Sequence, residues 1–366
     1  MPPKKKVKSE AGVSPLSQIQ AYLETNKGDH YNFEEERSYV VSSGSLLLDI
    51  EMGGGIGPGV IRASGITEGG KTSCSLAFAK NFQKMDNAMV VYIKSEGRLS
   101  KEMIQRAGVD TSEDKWFVYK SNVYESVINL MRELVSNNDT NTRYMFIIDS
   151  MDSLVPKNDL EKPPEEANKV AGGALLSSDF LRKMALGMTT RGHICYMVSQ
   201  VRSKVSINPY ERTDARVTNA SGGNALLHYS DWILEFQERH LKDIISTQPN
   251  GKGDMLGHWC KVVFKKTPNE KTGSLVRYPI RYGRLDGKSI WVEYEVVDML
   301  LAFDMAKKAG AWVTISDELV EEVGKETGKE FKKQHQGADN LRKYFEENVE
   351  IGKFIFKKFR NTLKKS

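Results

Sequence analysis

Short apolar runs alternate with longer amphipathic segments through the middle of the chain. The runs predicted to be strands cover residues 60–64, 89–93, 116–119, 144–148 and 194–199. The segments predicted to be helices cover residues 72–82, 101–107, 124–135 and 174–189. Because this order alternates buried strands with helices, it predicts an α/β fold with a mostly parallel sheet and helices on both faces.

The two ends of the chain follow other patterns. After about residue 224 the sequence is β-rich, with strands predicted at 232–236, 259–264, 276–282 and 290–296 that extend the sheet in antiparallel fashion. Residues 16–37 suggest a helix, with Leu16, Ile19, Gln20 and Leu23 along one side, and then an acidic linker. The predicted domains are a disordered basic arm (1–15), an N-terminal helix and linker (16–37), the core (38–302) and a small α/β C-terminal domain (303–366).

Composition narrows the class of protein. No apolar run is long enough to cross a bilayer, and no apolar stretch follows the lysines of the N-terminal MPPKKKVKSE. The three cysteines follow no metal-ligand spacing and are expected to be reduced. We therefore expect a cytoplasmic protein without a membrane partner.

Positive charge is concentrated at the two ends of the chain. The formal net charge is +5, and residues 325–366 hold twelve Lys or Arg against six Asp or Glu. This distribution is compatible with nucleic-acid binding, and equally with a solvated surface.

A phosphate-binding motif follows the first predicted core strand. Its residues are Gly65, Ile66, Thr67, Glu68, Gly69, Gly70, Lys71 and Thr72, with Ser73 next to them. The pattern G-x-x-x-x-G-K-[ST] between a strand and a helix lets backbone N–H groups converge on phosphate oxygens. Lys71 is expected to reach the β- and γ-phosphates of ATP, and the Thr72 hydroxyl to bind Mg²⁺.

A second element of such a site is the apolar run that ends in Asp149. A carboxylate at the carboxyl end of a buried strand is suited to the Mg²⁺ shell. Together the two motifs indicate only a P-loop nucleotide hydrolase.

Further motifs resemble those of the bacterial RecA-type recombinase family. They are SSGSLLLD (42–49), YIKSE (92–96), AGVD (107–110), SQVR (199–202), GGNAL (222–226), AGAW (309–312) and HQGADN (335–340). Their order and spacing agree with the family from about residue 38 to 361, and the divergence between them hints at a phage-encoded member. The resemblance implies a RecA-like P-loop ATPase core, an N-terminal arm that packs against a neighbouring subunit, and a small C-terminal domain.

The resemblance also implies catalytic roles. Glu96 matches the glutamate that activates the attacking water, and Gln200 matches the glutamine that senses the γ-phosphate. Lys265 and Lys266 lie near paired lysines that reach the ATP of the neighbouring subunit, although Phe264 occupies one of those positions in an ungapped comparison. Met103 stands where the family has an aromatic residue that stacks on adenine.

Two DNA-binding loops are implied as well. The first falls within residues 157–173, and the second within 201–221. The DNA-binding residues carried over from the family are Val170, Arg182, Lys183, Arg202, Lys204, Val205, Arg212, Arg216, Gly222, Gly223 and Asn224.

The expected function is that of an ATP- and Mg²⁺-dependent recombinase that forms helical filaments on single-stranded DNA and exchanges strands with a homologous duplex. Single-strand-binding and loading proteins are candidate partners. Two alternatives remain open: a non-catalytic RecA paralogue that mediates filament loading, and a ring helicase with a related core.

Overall fold

The computed structural model describes residues 14–97, 99–160, 172–202, 219–220, 228–248 and 252–365. The strands are β1 (Gly59–Gly65), β2 (Ala88–Lys94), β3 (Trp116–Tyr119), β4 (Arg143–Asp149), β5 (Ile194–Val198), β6 (Val201–Arg202), β7 (Asn219–Ala220), β8 (Trp232–Phe236), β9 (Ile244–Ser246), β10 (Met255–Lys266), β11 (Leu275–Arg281), β12 (Ala306–Ala309), β13 (Trp312–Ile315) and β14 (Gln334–Gln336).

The helices are α1 (Pro15–Thr25), α2 (Leu46–Glu51), α3 (Lys71–Phe82), α4 (Lys101–Ala107), α5 (Tyr124–Ser136), α6 (Lys157–Leu160), α7 (Gly172–Thr190), α8 (Val292–Ala302), α9 (Asp317–Thr327), α10 (Ala338–Glu347) and α11 (Val349–Lys365). Within the described ranges, none of them has both the length and the apolar character that a bilayer crossing requires.

A large twisted sheet organises the core. Its strand order is β11-β10-β8-β1-β5-β4-β2-β3, and β9 pairs with β10. Strands β8, β1, β5, β4, β2 and β3 run parallel, whereas β10 pairs antiparallel with β8, β9 and β11. The predicted α/β class, a mostly parallel sheet with an antiparallel extension, is confirmed.

Both faces of this sheet are buried under helices. Along β4, Met145 packs on one face and Phe146 on the other, as the two-residue period of a strand dictates. Helix α3 covers the first face with Phe78 and Phe82, and α5 covers the second face with Val127. Because helices bury both faces, functional side chains of such a sheet are expected at the ends of its strands.

Strand β8 differs from the antiparallel direction expected for residues 232–236. It runs parallel to β1, with Ile61 opposite Trp232 and Gly65 opposite Phe236. Asp231 fixes the start of β8 beside β1 through two hydrogen bonds to Val60. Its carboxylate accepts from the Val60 backbone N–H at 2.8 Å, and its own backbone N–H donates to the Val60 carbonyl at 2.8 Å. The chain therefore enters β8 at the same end of the sheet as β1.

The prediction of a strand at residues 290–296 is wrong. Only Ile290 makes an isolated bridge, to Ile280, and α8 begins at Val292. The apolar residues Val296, Met299 and Leu300 recur at helical spacing and are buried in the C-terminal core. Helix α1 is also shorter than the expected segment, since it ends at Thr25, just before the turn-forming Asn26 and Gly28.

The C-terminal unit is a small α/β assembly. Antiparallel strands β12, β13 and β14 pack with α8 to α11 around Val313, Phe345 and Ile355. Leu46 of α2 belongs to the same cluster. This unit therefore lies against the segment that precedes β1, although the exact domain limits stay a prediction.

Candidate active site at the carboxyl edge of the sheet

The phosphate motif forms the link between β1 and α3. Gly65 and Gly70 have positive φ angles of 139° and 105°, which favour glycine. A Cβ on Gly65 would lie 2.3 Å from the Phe236 carbonyl oxygen, so the neighbouring strand also excludes a side chain. Helix α3 begins at Lys71, so its N-terminal amides face the loop. The predicted strand–loop–helix context of the motif is present.

Lys71 is buried under this loop. Its ammonium donates to the carbonyl oxygens of Gly65 at 2.9 Å and Ile66 at 2.5 Å. The glycine cradle and the buried cation fit the triphosphate of ATP, which needs convergent N–H donors and positive charge.

Asp149 and Thr72 meet where β4 ends. The Thr72 hydroxyl donates to Oδ2 of Asp149 at 2.8 Å, and the hydroxyl of Tyr92 donates to the same oxygen at 2.6 Å. Burial and the adjacent Asp149 charge raise the pKa of Tyr92, so the phenol remains a donor. One carboxylate and one hydroxyl beside a phosphate cradle fit Mg²⁺, a hard cation that takes few protein ligands. Across the described part of the chain, no group of three or more His, Cys, Asp or Glu offers another metal centre.

Glu96 lies two residues beyond β2, at the same edge. Its Oε1 accepts hydrogen bonds from the hydroxyls of Ser150 at 2.5 Å and Ser153 at 2.7 Å. The Glu96 amide donates to the Asp149 carbonyl at 3.3 Å. The glutamate is thus held beside the end of β4, a position compatible with the predicted task of orienting a water for in-line attack.

Gln200 follows β5 and lines the same cleft as the phosphate loop. Its backbone N–H donates to the carboxylate of Asp152, three residues beyond Asp149, at 2.6 Å. Next to it, Arg62 donates to the Ser199 hydroxyl at 3.0 Å. Burial lowers the pKa of Arg62, and the charges of Asp152 and Glu235 oppose that shift. The hydrogen bond between Asp152 and Gln200 therefore links the segments that follow β4 and β5.

An open cleft of about 2350 Å³ extends beyond the phosphate loop, and the residues that line it include Lys71, Thr72, Glu96, Asp149 and Gln200. Met103, the expected adenine contact, lines it. So does Tyr282, which follows β11 and whose ring packs 5.4 Å from that of His258. The sequence analysis did not identify Tyr282 as a cleft residue, although an aromatic residue before Gly283 at the end of a predicted strand was a signal for one. It also missed Tyr92 and Ser153, whose contacts depend on how the strands pair.

Lys265 and Lys266 lie elsewhere. Neither lines the cleft that holds the phosphate loop of the same chain. Lys266 is opposite Ile233 in β8 and donates to the His228 carbonyl at 2.8 Å, and Lys265 lies 3.4 Å from the Glu235 carboxylate. A role at their own nucleotide site is therefore not supported by their position, whereas a role in trans remains a prediction.

Only part of the expected DNA-binding set is described. Arg182 and Lys183 lie on α7 and are exposed, but both pair with Asp179, at 3.0 and 2.7 Å. The hydrogen bond from Lys183 is the main cause that lowers the pKa of Asp179, and the hydrogen bond from Arg182 lowers it further. Arg202 belongs to the short ladder of β6 and β7, which brackets residues 203–218. The residues that lie outside the described part are Val170, Lys204, Val205, Arg212, Arg216, Gly222, Gly223 and Asn224.

Comparison with known proteins adds an independent finding. A family described as the RecA N-terminal domain matches residues 25–272. Protein RecA of Mycobacteroides abscessus is 27% identical over 326 residues, which cover 88% of this chain and 84% of that protein. Protein RecA of Rickettsia africae is 25% identical over 342 residues, 91% of each. Protein RecA of Rippkaea orientalis is 27% identical over 331 residues, 89% of this chain and 84% of that protein. The similarity therefore extends through the sheet and into the C-terminal unit.

Proposed function

Because this chain belongs to the RecA family, we propose that it is an ATP-dependent DNA recombinase that forms helical filaments on single-stranded DNA and catalyses homologous pairing and strand exchange. The observation that carries the proposal is a convergence of side chains at one edge of the sheet. The residues that meet there are Lys71, Thr72, Glu96, Asp149 and Gln200. They follow different strands, so only the fold brings them together.

Each residue has a distinct task in ATP hydrolysis. Lys71 binds the β- and γ-phosphates, which replace the loop carbonyls as its partners. Thr72 and Asp149 hold Mg²⁺, which when bound neutralises phosphate charge. Glu96 orients the attacking water and accepts its proton, while Ser150 and Ser153 keep the carboxylate in place.

Gln200 links the nucleotide to DNA in this proposal. Its side chain senses the γ-phosphate, since an amide can both donate and accept. Its backbone is anchored on Asp152, and β6 follows immediately at Val201. A change at the phosphate edge would therefore reach residues 201–221, the expected second DNA-binding loop. Contacts to the DNA backbone would make binding salt-sensitive and largely independent of sequence.

Self-association is supported by α1. No residue of this helix is buried, and the apolar side chains of Leu16, Ile19 and Tyr22 are more than half exposed. An unpartnered apolar stripe on an N-terminal helix is suited to packing on a neighbouring copy. This contact would build the filament.

A strand-exchange assay with ATP, with ADP and without nucleotide tests the proposal. We expect exchange with ATP alone, and none from Lys71→Ala, which loses the phosphate contact. ATP turnover no higher than that of Lys71→Ala would favour the loading mediator. Hexameric rings in micrographs, together with unwinding of a forked duplex, would favour the ring helicase.

A further inference from the structure

Tyr92 lies on β2, beside the strand that ends at Asp149. Its hydroxyl donates to Oδ2 of Asp149 at 2.6 Å, and the Thr72 hydroxyl donates to the same oxygen at 2.8 Å. The carboxylate that faces the metal site is therefore oriented by two donors on different elements. One comes from the first turn of α3 and the other from the interior of the sheet.

The sheet holds the Tyr92 ring rigidly. The side chain is 1% exposed, and its ring lies 5.6 Å from that of Trp116. Its backbone pairs with Ile147 on one side and Val118 on the other. A phenylalanine would fill the same volume, so the packing of this site does not require the hydroxyl. The oxygen instead supplies a fixed donor that points at the metal-site carboxylate.

We propose that Tyr92 is a positioning residue for Mg²⁺, which acts by holding the Asp149 carboxylate in its binding orientation. Thr72 cannot perform this task alone, because its hydroxyl is itself expected to turn toward the metal. When Thr72 turns away, Tyr92 remains to hold Oδ2. The inference rests on the proposed nucleotide site, and it assigns a role to the first residue of the YIKSE segment, for which the sequence analysis predicts none.

Hydrogen bonds to metal-binding side chains fix their orientation, and losing one typically costs about 10- to 100-fold in metal affinity. The appropriate variant is Tyr92→Phe, which removes the oxygen and keeps the ring. The measurement is binding of a fluorescent ADP analogue, titrated with Mg²⁺ from an EDTA-containing buffer. We expect the half-saturating Mg²⁺ concentration to rise about tenfold, while nucleotide affinity in EDTA stays unchanged.

Tyr119→Phe is the matched control. Tyr119 lies on the adjacent strand β3, and its hydroxyl hydrogen-bonds to Ser126 at 2.5 Å, away from Asp149. It loses the same atom, so its Mg²⁺ requirement should match that of the unmodified protein. A Mg²⁺ requirement in Tyr92→Phe equal to that of Tyr119→Phe would overturn the proposal, and would leave the Tyr92 hydroxyl with a structural role only.

A second set of variants tests whether Tyr92 acts through Asp149. In the Asp149→Asn background, Tyr92→Phe should have little further effect on the Mg²⁺ requirement, because the group that it positions has already changed. Additive effects would contradict the mechanism. Thermal unfolding without nucleotide checks that every variant is folded.

The outcome is separable from that of the proposed function, because nucleotide and Mg²⁺ are titrated without DNA. A tenfold Mg²⁺ shift together with failed strand exchange would refute only the recombinase. Successful exchange with no Mg²⁺ shift in Tyr92→Phe would refute only the role of Tyr92. A protein that binds no magnesium nucleotide would refute both.

Discussion

Gly65 is the glycine of the phosphate loop that leaves the least room for a side chain. A Cβ at this position would lie 2.3 Å from the Phe236 carbonyl oxygen and 3.0 Å from the Phe236 amide nitrogen. These are backbone atoms of the neighbouring strand β8, so no side-chain rotation can relieve the contact. The positive φ of 139° adds strain for any L-residue with a side chain.

Gly65→Ala should therefore weaken both the fold and nucleotide binding. We expect the free energy of unfolding to fall by roughly 1–3 kcal/mol, as for other strained backbone positions. Urea unfolding and nucleotide titration measure the two effects. Gly28→Ala is the control, because no atom lies within 4 Å of its added Cβ and it should change neither value. A Gly65→Ala protein with unaltered stability and affinity would contradict the steric account.

Glu96→Gln should separate nucleotide binding from hydrolysis. The amide keeps an oxygen that can accept from Ser150 and Ser153, but it cannot take a proton from water. Loss of a general base typically slows turnover by about 10²- to 10⁴-fold. We expect DNA-stimulated ATP hydrolysis to fall by that order, with nucleotide affinity unchanged. Steady-state ATP turnover measures the first effect, and equilibrium nucleotide titration measures the second. Near-normal turnover would exclude Glu96 as the general base.

Single residues could be predicted from sequence where a motif is contiguous. The spacing of Gly65, Gly70 and Lys71 specifies one strand–loop–helix unit, so local chemistry suffices to identify it. The contacts of Tyr92 and Ser153 could not be found in this way, although Tyr92 itself lies in the YIKSE motif. Their partners lie 57 residues away in the chain, and they meet only because β2 and β4 pair in one register.

At the scale of elements, three helices meet around two buried carboxyl groups. Glu295 of α8 accepts hydrogen bonds from the Ser45 hydroxyl and, at 2.9 Å, from the Leu46 amide. Asp49 of α2 accepts from Arg360 of α11. These contacts join the segment before β1 to the C-terminal unit. Since both carboxyl groups are inaccessible to water, their protonation is linked to the stability of the junction.

The pH dependence of unfolding should report on Glu295. Burial is the main cause that raises the pKa of this carboxyl group from 4.5 to about 8. Between these values the folded protein retains a proton that the unfolded chain releases, so the free energy of unfolding falls as pH rises from about 4.5 to 8. The contribution has a slope of up to about 1.4 kcal/mol per pH unit.

Glu295→Gln should remove this contribution, because the amide does not titrate. We expect its stability to decline less than that of the unmodified protein between pH 5 and pH 8 (about 1 kcal/mol per pH unit less). Chemical unfolding at several pH values measures the difference. Glu318→Gln, at an exposed position of α9, should keep the original slope. Equal slopes in all three proteins would refute the assignment.

The type of an element could be predicted where one hydrophobic period dominates. The prediction failed where the strand period and the helix period competed. Residues 290–296 alternate enough to suggest a strand, yet Val296, Met299 and Leu300 continue at helical spacing past the end of that window. The direction of β8 depends on Asp231, whose contact with Val60 spans 171 residues. No local pattern in the sequence encodes such a pairing.

At the scale of the whole molecule, the positions of Lys265 and Lys266 are informative. They lie outside the cleft of their own phosphate loop, along the strand that continues the sheet beyond β8. A cation that stabilises developing phosphate charge must reach the phosphates. If these lysines act in hydrolysis, they must therefore act on the nucleotide of another copy, and catalysis would require assembly.

Mixing two inactive proteins tests this directly. Lys71→Ala retains the lysine pair but cannot bind nucleotide properly, whereas a Lys265→Ala/Lys266→Ala protein binds nucleotide but lacks the pair. In a random equimolar filament, roughly a quarter of the interfaces would join an intact phosphate loop to an intact lysine pair, so about a quarter of the normal DNA-stimulated ATP hydrolysis should return. If the lysines acted within one chain, every site would keep a defect and the mixture would be no more active than its components. A Lys307→Ala/Lys308→Ala protein, which alters two exposed lysines of β12, controls for the loss of two charges and should remain active without mixing.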